Sequence, residues 1–276
     1  MSSSESGEVV EMVGKQVRVR LSTGEMRVCT VRTKVVVGDV VTVQYGSVTA
    51  CAPRKTELSR SADHGTRIVC ANATLLVSVS SATDPPFRPG LVDRVLVAAS
   101  AAGMKAALVL NKCDLGMPDE VLELLAKYEA IGYPIFLVSA VQEKGLESLR
   151  TLLAEHTSVL VGHSGVGKSS LTMALIPGVT LDTGDLDQWG RGRHTTIAAR
   201  LFEIPTGGRL IDVPGIREFG VGGIPREELK DHFPEFDGVA CKYRGCMHNG
   251  EDGCVAEATT WQERIDSYQK LLGEVV

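Results

Sequence analysis

Four residue groups in this chain have types and spacing suited to chemistry. The first is Gly162-His163-Ser164-Gly165-Val166-Gly167-Lys168-Ser169, a complete G-x-x-x-x-G-K-S. In such a loop the glycines let successive backbone N–H groups converge on one anion, and the helix that follows adds its positive end. Lys168 is placed to reach the β- and γ-phosphates of a nucleotide, Ser169 to offer its hydroxyl to Mg²⁺, and Ser170 to continue the phosphate-facing stretch. The second group, Asn111-Lys112-Cys113-Asp114, is an N-K-x-D. The Asp114 carboxylate can accept both the N1–H and the exocyclic amino group of guanine, a donor pair that adenine does not present. Asn111 is expected to orient this loop and the base edge, and the Lys112 stem to cover the ring. Ser139-Ala140 matches the turn whose backbone N–H meets the guanine oxygen.

The third group is Asp212-Val213-Pro214-Gly215, a D-x-x-G in which Asp212 holds Mg²⁺ through water and the Gly215 N–H senses the γ-phosphate. Ahead of it lies the polar, glycine-rich stretch 183–196, a switch-loop candidate. Thr196, favoured over Thr195, would close on Mg²⁺ there, and His194 is either a water-positioning group, a contact for partner RNA, or simply solvated. The residue after Gly215 is the apolar Ile216, which cannot orient water, so slow intrinsic hydrolysis is expected. The fourth group is Cys241-x₄-Cys246-x-His248-x₅-Cys254. Three thiols and an imidazole this close suit one structural Zn²⁺ with no position left for water. Cys29, Cys51, Cys70 and Cys113 are scattered and read as small buried apolar residues.

The elements that must position these groups follow from hydrophobic patterning. Glu8–Val13, Gln16–Leu21, Met26–Val31, Asp39–Val43 and Ser47–Cys51 are short Val-rich runs punctuated by Gly14, Gly24, Gly38 and Gly46. Five such strands predict a small barrel of the OB-fold type. The connector carrying Arg54, Lys55, Arg60 and Arg67 reads either as a solvated linker or as a contact for phosphate backbone. From residue 72 the pattern becomes α/β. Strands at Thr74–Ser80, Ala106–Leu110 and Pro134–Ser139, and the strand entering the glycine loop, alternate with helices at Leu91–Ala102, near Pro118–Ala130 and at Gly145–Ala154. A parallel sheet results, with the motifs at the carboxyl ends of its strands. A last helix, Glu257–Leu272, packs over the cysteine cluster.

A conventional GTPase meets its P-loop first and N-K-x-D later; here Asn111–Asp114 and Ser139-Ala140 precede Gly162–Ser169, which is the order of a circular permutation. Together with the barrel, the 190–196 stretch, Asp212–Gly215 and the cysteine cluster, this order resembles the RsgA (YjeQ) family of circularly permuted, ribosome small-subunit-dependent GTPases over nearly the full length. Val213 stands where that family usually has threonine. The resemblance implies three domains: an OB barrel over 1–60, a circularly permuted α/β P-loop GTPase domain over 61–220, and a small α-helical zinc-binding domain over 221–276. It implies GTP hydrolysis to GDP and phosphate with Mg²⁺, activation by the 30S subunit, and action in late 30S maturation through 16S rRNA binding, in a cytoplasmic monomer. Because Asp212–Gly215 runs on into the C-terminal segment, nucleotide state is expected to move that segment.

Two rival classes stay open on the sequence alone. One is a nucleotide-gated RNA- or protein-binding switch that barely hydrolyses, favoured by Ile216; the other is an ATP-using P-loop enzyme, disfavoured by Asp114. Composition narrows the field: a net charge of −5 argues against a generally basic nucleic-acid-binding surface, leaving room only for local patches. Seven cysteines, an odd number, argue against a disulfide framework. No apolar run is long enough for a membrane span, and the N-terminus lacks the pattern of a signal peptide.

Overall fold

The computed structural model describes residues 4–62, 65–179, 199–213, 221 and 223–275. Strands β1 (Glu5–Val13), β2 (Gln16–Leu21), β3 (Met26–Val31), β4 (Val40–Gln44) and β5 (Ser47–Cys51) follow the Val-rich runs to within a few residues. They close on themselves in the order β1-β2-β3-β5-β4 and back to β1; β3 and β5 run parallel and the other pairs antiparallel. Alternation sends Val9, Val17, Val19, Cys29, Val41, Val43 and Val48 inward to a common core. β1 serves two sheets. Residues Glu5–Glu8 pair with β4 and close the barrel, the register then slips between Val9 and Glu11, and Glu11 pairs with Arg200 of the neighbouring sheet. A bulge that bends a strand in this way is a common device at barrel rims.

The basic connector is part of the fold, and its Arg54 is engaged. It enters a hairpin of β6 (Glu57–Ala62) and β7 (Gly65–Ala71). Arg54 grips the fully buried Asp39 with Nε to Oδ1 at 2.7 Å and Nη2 to Oδ2 at 2.9 Å, and reaches Glu57 at 3.1 Å. A buried carboxylate needs such a partner, and this requirement outweighs the sequence impression of a solvated Arg54; Lys55 and Arg67 remain exposed. Of the scattered cysteines, Cys29 and Cys70 are buried while Cys51 and Cys113 are half-buried.

The rest of the sheet consists of β8 (Leu75–Ser81), β9 (Lys105–Asn111), β10 (Ile135–Leu137), β11 (Thr157–Val161), β12 (Arg200–Glu203) and β13 (Arg209–Asp212). Its order is β10-β9-β8-β11-β13-β12, continuing into β1, and only β12 opposes its sheet neighbour β13 within this half. β8 is buried along its whole length, as a central parallel strand must be. Helices α1 (Pro89–Ala101), α2 (Asp119–Ala130), α3 (Leu146–Ala154) and α4 (Lys168–Leu175) complete the layers. Leu76, Val95, Ala99, Val159 and Ile211 form the core on one face; Leu75, Val77, Leu149, Leu171 and Leu210 form it on the other. With β8, β9, β11 and β13 parallel, the loops following them gather along one edge of the sheet.

The C-terminal part is mostly short 3₁₀ turns (Arg226–His232, Pro234–Phe236, Ala256–Ala258) and one helix, α5 (Gln262–Leu272). The expected helix from Glu257 starts later, because a separate turn at Ala256–Ala258 intervenes. Ile224, Leu229, Phe233, Phe236, Ile265, Tyr268 and Leu271 share an apolar cluster with Val97 of α1. The module therefore completes its core against the α/β half. No described helix is long and apolar enough to cross a membrane.

Candidate nucleotide site and zinc centre

The glycine loop leaves the buried strand β11 and ends where α4 begins. Two of its glycines are required by contact as well as by conformation. A Cβ on Gly162 would lie 2.0 Å from the Val79 carbonyl oxygen, and one on Gly167, whose φ is +88°, would lie 2.4 Å from Asn111 Nδ2. Lys168 Nζ donates to the carbonyls of Gly162 (2.8 Å) and His163 (2.9 Å), so the ammonium is folded over the loop it serves. Burial lowers its pKa, with the Asp212 charge acting in the opposite direction; burial raises that of Asp212, with Lys168 opposing. Asp212 ends β13, which runs parallel beside β11, and this puts the carboxylate next to the loop.

On the other side of β8 the N-K-x-D sequence leaves β9. Asn111 is 2% exposed. Its Nδ2 donates to the Val166 carbonyl at 3.0 Å, and its Oδ1 accepts the Ala140 N–H at 3.1 Å. It ties the glycine loop to the Ser139-Ala140 turn. Within the turn matched to the guanine oxygen, the Ala140 N–H is engaged by Asn111. Ser139 is fully buried, and its Oγ accepts the Gln142 N–H at 3.1 Å. Lys112 adopts a left-handed conformation (φ 61°) and donates to the Asp84 carbonyl at 2.8 Å. Asp114 follows in a short 3₁₀ turn with its carboxylate exposed. Asp84 is the residue that pattern reading missed: it lies in an unremarkable loop, and only folding brings it to Lys112. Thr196, His194 and Gly215 lie outside the described residues, as do Thr195 and Ile216.

The ligand atoms of Cys241, Cys246, His248 and Cys254 all lie within 4.8 Å of one another. His248 Nδ1 is 3.5 Å from Cys241 Sγ and 3.6 Å from Cys254 Sγ. Glu251 organises the loop by accepting the N–H groups of Met247 (2.8 Å) and Asn249 (2.7 Å). The Phe236 ring backs the imidazole at 4.9 Å. Burial lowers the His248 pKa, which favours the neutral, metal-binding form, and burial pushes the Cys246 thiol up to about 12. Three sulfurs and one nitrogen in this arrangement fit Zn²⁺, and the four residues form a zinc site of the closed structural kind.

Residues 51–222 match the RsgA GTPase family. The chain belongs to that family. Among curated RsgA relatives, the small ribosomal subunit biogenesis GTPase RsgA of Pseudomonas putida is 40% identical over 294 aligned residues, covering 98% of this chain and 85% of the relative. The protein of the same name from Pseudomonas aeruginosa is 38% identical, covering 100% and 87%. Among solved structures, YjeQ from Thermotoga maritima superposes with a TM-score of 0.81 at 30% identity, covering 99% of this chain and 98% of its own. YloQ, described as a circularly permuted GTPase, superposes at 0.76 with 25% identity, covering 99% and 95%. The RsgA assignment agrees with the order of elements seen here: the strands carrying base-reading motifs precede the phosphate loop in sequence yet lie beside it in the sheet. As an RsgA GTPase the chain hydrolyses GTP.

Proposed function

We propose that this chain hydrolyses GTP as a timing step in assembly of the small ribosomal subunit, with the 30S particle as activator and 16S rRNA as the surface it grips. The observation that carries the reading is Asn111, one buried side chain joining the phosphate loop to the base-reading turn. Such a cross-link holds both halves of a guanine nucleotide site in register before any ligand arrives, and this preorganisation is the part of binding that contacts alone do not supply. The RsgA relatives are named for small-subunit biogenesis, which supports the choice of particle.

Residue roles follow from placement. Backbone N–H groups of 162–170 cradle the phosphates, and Lys168 leaves its two loop carbonyls to meet the β- and γ-phosphates. Asp114 accepts the guanine N–H groups, and Lys112, steadied by Asp84, covers the ring. Ser169, Asp212 and Thr196 would hold Mg²⁺, which neutralises charge developing on the phosphates. Gly215 senses the γ-phosphate, and His194 is the group we assign to water positioning. The three working parts are a barrel over 1–60, a GTPase domain over 61–220 and a zinc domain over 221–276, in a cytoplasmic monomer.

Turnover measured with the zinc-loaded protein alone and with 30S, 50S or 70S particles tests this. Stimulation by 30S of about 10²-fold or more, on the scale of a site completed from outside, is expected. Tight GTP binding with no stimulation by any particle would instead make it a nucleotide-gated switch, the reading that Ile216 favours. Base selection has its own test. Asp114→Asn exchanges an acceptor for an amide whose N–H₂ now opposes the guanine amino group and matches the carbonyl of xanthine. GTP affinity should fall by at least about 10²-fold while XTP becomes a substrate. Unchanged preference for GTP in a competition titration would remove Asp114 from the base site.

A further inference from the structure

Arg264 of α5 is fully buried, and three elements meet on it. Its Nη1 donates to Asp93 Oδ1 of α1 at 2.5 Å, and its Nε to Glu235 Oε1 at 2.6 Å. The Tyr128 hydroxyl of α2 donates to the same Asp93 oxygen at 2.6 Å. The guanidinium lies over the Phe233 ring at 4.3 Å and the Tyr128 ring at 5.8 Å, so it is held between the C-terminal module and the α/β half. The two carboxylates are as enclosed as the guanidinium: the Asp93 side chain is 0% exposed and that of Glu235 is 1% exposed. Charges this deep are tolerated only while all of them are in place.

The cluster faces the metal on one side and the nucleotide on the other. Glu235 adjoins Phe236, whose ring meets the ligand His248, and Tyr268 of the same helix donates to the Met247 carbonyl at 2.5 Å. In the other direction, α1 follows the loop in which Asp84 holds Lys112 and leads into β9, which ends on Asn111; α2 follows Asp114. Arg264 therefore clamps the two helices that frame the base-reading loop.

We propose that zinc binding and guanine-nucleotide binding are thermodynamically coupled in this chain, with the Arg264–Asp93 pair as the connecting element. The inference rests on the nucleotide-site reading above. The two states are the C-terminal module seated on α1 and the module released. Zinc folds the 241–254 loop and so presents Phe236 and Glu235 to Arg264. Release takes the counter-ion from Asp93, and α1 and α2, which are packed around that pair, lose the contact that fixes their placement. A nucleotide bound between the loops those helices support favours the seated state. By linkage, zinc then tightens nucleotide binding by the factor by which nucleotide tightens zinc binding.

The full chain carrying Trp189→Phe, which leaves Trp261 as the sole indole, supplies a reporter, because Trp261 sits edge-on to Tyr128 at 5.2 Å. Fluorescently labelled GDP is titrated into protein loaded with zinc and into protein stripped by a zinc-selective chelator that leaves magnesium in place. Zinc affinity is then measured by competition with an indicator, with and without GDP. Stripping should weaken GDP on the order of 10-fold, GDP should tighten zinc by the same factor, and Trp261 emission should shift red on stripping. Asp93→Asn should bring both factors toward one while the zinc-loaded form still binds GDP; Glu235→Gln serves the same purpose if that variant does not fold. Equal GDP affinity with and without zinc, or full coupling retained in both variants, overturns the proposal. Failure of the zinc-loaded parent chain to bind GDP would overturn the nucleotide reading itself, which the first titration shows separately.

Discussion

Lys168→Ala should lower GTP turnover by on the order of 10³-fold, with the melting temperature unchanged or slightly raised. The loss follows from where charge appears: phosphoryl transfer spreads negative charge over the γ-phosphate oxygens, and a cation already fixed beside them stabilises the transition state without reorganising. Before nucleotide arrives the Gly162 and His163 carbonyls hold Lys168 at the loop, and it needs only to turn from them to the phosphates. The stability expectation comes from the same surroundings. Burial works against the Lys168 ammonium and outweighs the opposing Asp212 charge. Removing it ends a desolvation cost and leaves two loop carbonyls to water. A single-turnover assay with a parallel thermal melt reads both numbers. Turnover within about tenfold of the parent chain would take Lys168 out of the reaction, and a large drop in melting temperature would mark it as structural. Lys168→Arg is expected to rescue little, because a planar fork cannot occupy the space of a compact ammonium inside a closed loop.

The parts of the site that pattern reading recovered are those whose geometry is local. Gly162–Ser169 and Cys241–Cys254 each carry their function within one short segment, so residue type and spacing nearly suffice. Val-rich alternation placed the five barrel strands for the same reason, since a strand's faces are set by its own period of two. What could not be read are contacts between distant segments. Asn111 was expected to orient its own loop and the base edge; the partners through which it acts, Val166 and Ala140, lie 55 residues away on one side and 29 on the other. Arg54 looked like a solvated cation until folding set it against the buried Asp39. The same limit applies to the expected motion of the C-terminal segment. The link through Asp212–Gly215 led us to expect that nucleotide state moves it; a second connection, invisible in the sequence, is the shared apolar cluster and the paired charges that bind the module to α1. Signals reaching it have to act on that joint.

Arg264→Ala measures how much of the fold depends on that joint, and a loss of about 3–5 kcal/mol is expected, the usual consequence of removing one partner from a buried ion pair. Asp93 loses its counter-ion and keeps only neutral hydroxyl partners, Tyr128 and Ser267, Glu235 loses its bidentate partner, and Phe233 loses the cation stacked on it. For a chain of this size such a loss corresponds to roughly 10 °C in melting temperature. The deficit should depend on pH with a definite sign. Burial already raises the Asp93 carboxyl, with Arg264 as the main opposing influence. Without Arg264 the folded-state pKa rises further above the unfolded value near 3.9. An acid whose folded-state pKa is raised binds more protons in the folded chain, so stability recovers as pH falls. The gap between variant and parent should therefore narrow from neutrality toward the carboxylate range. Replacing the pair with apolar side chains, Arg264→Met with Asp93→Leu, removes both charges and should recover part of the loss at neutral pH. Chemical denaturation of the three proteins at two pH values decides it. A deficit independent of pH would mean that packing around the guanidinium stem, not the stranded carboxylate, holds the module on α1.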